Sequence, residues 1–200
     1  MFSEIIKNLE INGYKVSYFE TSSGAKDYIN SQIDNMSVAF GGSMTLKDMG
    51  LYETLKAHNK VLWHWIPEEG KTAAEILKEA LSTDIYISSV NAIAKTGEIV
   101  NIDGTANRVA SIFYGHKKVY LVVGKNKIAE SCDEAIYRAR NIAAPLNAKR
   151  LNRKTPCAEK GDKCYNCNSP ERICCGLSVL WKKPGGCDYE IVIVNEDIGY

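Results

Sequence analysis

The sequence predicts an α/β fold, a mainly parallel sheet flanked by helices on both faces with a β-hairpin excursion. Three observations carry that expectation. Short apolar runs alternate with segments of helical periodicity from the start through "DIYISSV" at Asp84–Val90, which calls for parallel strands joined by crossover helices. "KKVYLVVG", Lys117–Gly124, is a near-continuous apolar, β-branched run between two glycines, as in a strand buried on both faces. "GEIVNIDGTANRVASIFYG" lacks a helix-length pattern and carries a tight-turn signal at Asp103-Gly104.

Each element follows from its local pattern. Phe2, Ile5, Ile6 and Leu9 lie at helical spacing and Gly13 ends that helix. "YKVSYF" reads as a strand, and Ser22 or Ser23 caps a second helix carrying Tyr28, Ile29 and Ile33. "SVAFGG" is a short strand running into a glycine turn, and "MTLKDMGLYETLKAH" is helical. "KVLWHWI" is a strand, "TAAEILKEAL" a helix capped by Thr72, and "DIYISSV" a strand. The hairpin arms are expected at "GEIVNI" and "NRVASIFY". A long helix, kinked or stopped near Pro145, spans "ESCDEAIYRARNIAAPLNAKRL". A cysteine-rich loop follows at residues 156–175, and "LSVLWKK" and "YEIVIVNEDIGY" close the chain as strands. With no repeat, linker or low-complexity tract, the 200 residues read as a single domain, 1–200, able to bury a core without disulfides.

The 25 basic and 24 acidic residues balance to +1, which leaves no electrostatic footprint for nucleic acid. The densest basic run, "KRLNRK", Lys149–Lys154, reads as a solvated face, with an anion or partner contact as the alternative. Glu4 and Glu10 interrupt what would be the apolar core of a signal peptide, and no run is long enough for a membrane span. A cytoplasmic location is expected. There, clustered thiols bind metal or do redox chemistry more often than they form bridges.

Three stretches carry candidate chemistry. In "AFGGSMT", the turn Gly41-Gly42 between strand and helix lets backbone amides approach an anion, with Ser43 and Thr45 adding hydroxyls. The competing reading is a plain strand-to-helix turn with Ser43 as cap. "NAIAKTGEIVNIDGTANR" gathers amides, hydroxyls, two carboxylates and Arg108 beyond the carboxyl end of a parallel strand, where open α/β sheets bind ligands. Arg108 is suited to clamping a carboxylate or phosphate, and Glu98 and Asp103 are the nearby acids able to act as base or nucleophile. A surface hairpin with an ordinary ion pair is the bland alternative. Finally, Cys157, Cys164, Cys167 and Cys174 are spaced C-x6-C-x2-C-x6-C, matching neither a zinc ribbon nor a ferredoxin run. Four thiolates can hold zinc or a [4Fe–4S] cluster; free thiols or a regulatory disulfide are the alternatives. No histidine pairs at ligand spacing; His64 is expected between Trp63 and Trp65 or in solvent.

"GGSMTLKDMGL", "VNAIAKTGEIVNIDGTANRVASIFYG", "KKVYLVVGKNKI", "RARNIAAPLNAKRL" and "PC…CYNCNSPERIC" together resemble the LUD-domain family of lactate-utilisation proteins, also known as DUF162, in a cysteine-bearing branch. The resemblance implies a fold like the NagB/RpiA/CoA-transferase group. It implies a pocket lined by Gly41, Gly42, Ser43, Thr45, Asn91, Thr96, Gly97, Asp103, Gly104, Asn107 and Arg108. It also implies a role in organic-acid metabolism as an oxidoreductase component, with an accessory zinc protein or a CoA- or phospho-ligand transferase using Glu98 as the other readings. The implied partners are a small anionic metabolite, iron–sulfur redox proteins and, in a homodimer, a second copy of the chain. Lys95 departs from the pattern, since relatives often carry an acid there.

Overall fold

The computed structural model describes residues 2–200. Its strands are β1 (Lys15–Phe19), β2 (Ser37–Phe40), β3 (Lys60–Trp63), β4 (Ile85–Ser89), β5 (Ala92–Ala94), β6 (Ile99–Asp103), β7 (Lys118–Gly124), β8 (Ile128–Ala129), β9 (Gly176–Leu180) and β10 (Asp188–Val194). Its helices are α1 (Phe2–Ile11), α2 (Ser22–Gln32), α3 (Met44–Asp48), α4 (Leu51–Lys56), α5 (Ala73–Ala80), α6 (Asn107–Phe113), α7 (Cys132–Arg138), α8 (Ala144–Arg150) and α9 (Pro156–Lys160).

Six strands form one sheet in the order β1-β10-β7-β4-β2-β3, every pair parallel. A parallel sheet needs cover on both faces, and alternate residues supply it. Val119, Leu121 and Val123 of β7 pack with Ile5, Leu9 and Ile76 on one side, whereas Tyr120 and Val122 pack with Ile29, Leu51 and Leu55 on the other. A smaller sheet in the order β8-β5-β6-β9 lies beside it, β5 joining β8 in parallel and β6 antiparallel, and β6 joining β9 antiparallel. No helix among the described residues is long and apolar enough to cross a membrane.

The hairpin exists, but its arms are β5 and β6, which turn at Lys95–Glu98. "NRVASIF", expected as an arm, is instead helix α6. The Asp103 carboxylate accepts the amides of Thr105, Ala106 and Val109, an arrangement that starts a helix rather than a strand. The second antiparallel partner of β6 is β9, from the far side of the cysteine segment, a pairing no local pattern could announce. β3 stops at Trp63, which frees His64 and Trp65 from the sheet. Thr21, not Ser22 or Ser23, caps α2, accepting the Gly24 amide. The long helix carries a π-turn, Ala139–Ala143, just before Pro145. Proline lacks an amide proton and crowds the carbonyl four residues back, so the wider turn keeps the chain helical from Cys132 to Arg150.

Candidate functional site: a basic cleft beside a cysteine nest

The carboxyl ends of β2, β3, β4 and β7 open into a cleft of about 260 Å³. Of the residues expected there, Gly42, Ser43, Thr45, Asn91, Asp103, Gly104, Asn107 and Arg108 line it. Gly41 does not. A Cβ at Gly41 would stand 2.5 Å from Ser88 Oγ and 2.8 Å from Tyr86 Oη, so this glycine serves the close approach of β2 to β4. Gly42 has the analogous duty toward Trp65, 3.2 Å from its virtual Cβ.

Thr96, Gly97 and Glu98 lie at the β5–β6 turn, outside the cleft. Gly97, at φ +103°, packs on Asn8 and Asn12 of the α1 end, and Glu98 accepts the Thr96 hydroxyl. Glu98 is therefore in no position to be the base, or a transferase nucleophile, of this cleft. Lys95 pairs with Glu130 at 2.6 Å on the same turn and likewise faces elsewhere.

Asp103 and Arg108 do border the cleft, but in other roles than base and clamp. The Asp103 carboxylate holds three backbone amides and faces Arg108 Nε at 3.6 Å. Arg108 gives Nη1 to Ser89 O at 3.2 Å and Asn101 Oδ1 at 2.6 Å, and Nη2 to Asn91 Oδ1 at 3.0 Å and Ile102 O at 2.7 Å. With its guanidinium donors engaged inside the protein, Arg108 contributes positive charge and rigidity, not a free fork. Ser43 caps α3, accepting the Leu46 amide, as the plainer reading of that turn expects.

The rest of the cleft's chemistry belongs to Lys127, to which the sequence reading gave no role, to His64, and to two arginines of the "KRLNRK" run. Lys127, just beyond β7, is 3% exposed, and its Nζ donates to Thr45 Oγ1 at 2.8 Å and Ser89 Oγ at 2.9 Å. Among the described residues no carboxylate pairs with it. Burial first, then the charges of Arg138 and Arg108, push its ammonium down to about 7, with Asp48 opposing weakly. His64 also lines the cleft, its Nδ1 buried without a partner, and burial lowers its pKa while Asp103 pulls the other way. Arg150, held over the Trp65 ring at 4.9 Å, and Arg153 stand at the rim. Among the lining residues Lys127, Arg108, Arg150 and Arg153 are basic and only Asp103 is acidic. The cleft is a positive site.

The cysteine segment leans on this cleft. Cys157, Cys164, Cys167 and Cys174 line one small concavity with Arg140 and Arg172, and Ile173 and Ala144 line both this concavity and the cleft. The contact is made by Gly104: a Cβ there would sit 2.9 Å from Ile173 O, and the Cys175 amide donates to Asp103 O at 3.0 Å. Arg172 braces the loop, donating to the carbonyls of Cys167 at 2.7 Å and Cys174 at 2.9 Å. Burial alone would push the Cys164 thiol up, but hydrogen bonds from Arg140 and the Asn166 amide, with the charges of Arg140 and Arg172, leave it lowered. Burial pushes the Cys174 thiol up. The seven cysteines are unbridged. Among the described residues no three His, Cys, Asp or Glu side chains are gathered at single-ion spacing, so the four thiols surround a common concavity rather than one point.

The fold is thus an open α/β one with a mainly basic cleft at the carboxyl ends of its parallel strands, the place where such sheets commonly take ligands. The LUD domain model matches residues 2–194, and the chain belongs to that family. No curated protein matches it. Among solved structures, a DUF162-family protein from Deinococcus radiodurans superposes with a TM-score of 0.56 at 12% identity, covering 96% of this chain and 95% of that one; the likeness is one of fold. eIF2B beta from Chaetomium thermophilum reaches a TM-score of 0.39 at 12% identity, over 56% of this chain and 44% of that one.

Proposed function

We propose that the protein binds a small carboxylate-bearing metabolite of the lactate type in the cleft and works in organic-acid metabolism, with the cysteine nest holding an iron–sulfur cluster. The observation that carries the reading is Lys127, a buried cation with hydroxyl partners only. An unpaired buried charge is costly, and a protein that keeps one at the mouth of parallel strands keeps it for an anionic guest. Arg150 and Arg153 at the rim would steer that guest inward.

The nest suits a cluster by its donor set. Four cysteines surround one concavity, two arginines offset thiolate charge, and the Asn166 amide donates to Cys164 Sγ at 3.3 Å, the kind of contact that tunes cluster sulfurs. Such a cluster supplies one-electron transfer when bound. Ile173 and Ala144 would keep it one layer of side chains from the ligand, dry and close.

Two measurements test the two halves separately. Lactate, pyruvate and related carboxylates are expected to raise the melting temperature, and Lys127→Met to abolish the rise; a panel in which none stabilises the parent removes the anion reading. Anaerobically prepared protein is expected to be brown with about four iron atoms per chain. Colourless protein with stoichiometric zinc would replace the cluster with a structural ion.

A further inference from the structure

Lys127 has more capacity than anion binding requires. An ordinary anion-binding lysine stays protonated and reaches its ligand from a flexible stem, whereas this one is buried at the cleft floor and held by two hydroxyls at fixed distances. We propose that Lys127 is a nucleophile, its ε-amine condensing with the carbonyl carbon of an anionic aldehyde or ketone, such as a 2-oxo acid, to form an imine. The inference rests on the cleft being the anion site described above and names the chemical class of its guest.

The geometry supplies what the condensation needs. The charged groups acting on Nζ are Arg108 on α6, Arg138 on α7 and Asp48 on α3, and the two guanidiniums, together with burial, favour the neutral amine. A pKa near 7 leaves a neutral fraction at pH 7.5 roughly a thousand times that of an ordinary lysine. In the addition, the nitrogen lone pair forms the C–N bond and the carbonyl π-bond electrons go to oxygen. One N–H proton passes to that oxygen, giving a carbinolamine, and the Thr45 and Ser89 hydroxyls at 2.8 and 2.9 Å are placed to relay it. Loss of water then forms the C=N bond, and no oxidant or reductant is consumed. Lys127 stands apart from the other lysines in this. Lys95, Lys15 and Lys118, for instance, sit against carboxylates that hold them charged.

Reductive trapping tests the proposal. The parent is treated with glyoxylate and cyanoborohydride at pH 7.5, and the modified lysines are mapped by peptide mass spectrometry. Nε-carboxymethylation is expected at Lys127 at least tenfold faster than at any other lysine, with a rate that rises through pH 7 rather than pH 10. A parallel arm with propionaldehyde, which carries no charge, separates the two ideas. Lys127 labelled by both aldehydes, with glyoxylate favoured at least tenfold, supports nucleophile and anion site together. Equal labelling by both keeps the nucleophile and drops the anion reading. Labelling spread over surface lysines while Lys127 stays unmodified overturns the nucleophile, even where carboxylates still raise the melting temperature. Lys127→Arg supplies a further check: retained carboxylate stabilisation without selective labelling is the expected result.

Discussion

Glu190 in β10 and Lys127 just beyond β7 are both buried charges, one at each end of the main sheet's strands, and they are treated in opposite ways. Glu190, in the first turns of β10, has a fully buried side chain and is surrounded: Ser17 and Tyr28 donate to Oε1 at 2.7 and 2.6 Å, and Lys15 and Lys118 reach Oε2 at 3.0 and 2.8 Å. Burial would raise its pKa, but Lys118, Tyr28, Ser17 and Lys15 outweigh it and hold the carboxyl down to about 2. Lys127, beyond the other end of β7, is given two hydroxyls and no carboxylate. The amino ends of the strands therefore hold a closed network that serves stability, whereas the carboxyl ends hold a charge left open. Placement in the fold, more than residue type, decides which buried charges are structural.

The largest effect expected from breaking this contrast is at Glu190. Glu190→Ala removes a fully buried carboxylate and leaves half-buried Lys118, Ser17 and Tyr28 and exposed Lys15 without it, and is expected to cost about 2–4 kcal/mol by urea unfolding. A loss below about 1 kcal/mol would mean that the network contributes little. The pH dependence has a definite sign. Because the folded pKa lies below the usual carboxylate value of 4.5, the contribution is complete above pH 4.5 and fades as pH falls toward 2. An acid unfolding midpoint that does not move between parent and Glu190→Gln would contradict it. Next in size is Gly104→Ala, whose methyl must displace Ile173 O from 2.9 Å. A cost of about 1–3 kcal/mol is expected, together with weaker retention of any metal by the nest. Unchanged stability and metal content would show that the two sites do not share a rigid wall.

Much of this molecule was legible in its sequence, and the illegible parts have physical reasons. The parallel sheet followed from apolar runs that need no long-range information: "KKVYLVVG" is buried on both faces wherever its neighbours come from. The cleft's place beyond the strand ends was equally readable, because chain order alone puts "FGGS" and "SVNA" there. Roles were harder. Arg108 looked like a ligand clamp until its four acceptors, two from the end of β4 and just beyond it and two from β6, appeared around it. Glu98 lies five residues before Asp103, yet a strand carries it to the opposite end of β6. Lys127 was assigned no role: it falls inside "KKVYLVVGKNKI", a stretch that marks the family resemblance without singling out the lysine. Only tertiary burial separates it from its neighbour Lys125, which is exposed.

The smallest predicted change is the one that most sharpens the contrast. Lys127→Met removes a buried cation that has no counter-ion, so the ligand-free protein is expected to gain roughly 0.5–2 kcal/mol at pH 6, at the expense of carboxylate binding. The sign against pH is the same as that of Glu190, since both pKa values are lowered by folding, but the window lies far higher. Between about 7 and the unfolded value of 10.5, the unfolded chain holds a proton on Lys127 that the folded chain has released. Stability therefore rises with pH across that window, whereas below it the cost of the buried charge is fully present and adds no slope. Subtracting the Lys127→Met profile from the parent's isolates the slope, because every other titrating group is common to both. A flat difference from pH 7 to 10 would place Lys127 among ordinary charged lysines. The open charge at the carboxyl ends would then be no more than a hydrogen-bond donor to Thr45 and Ser89.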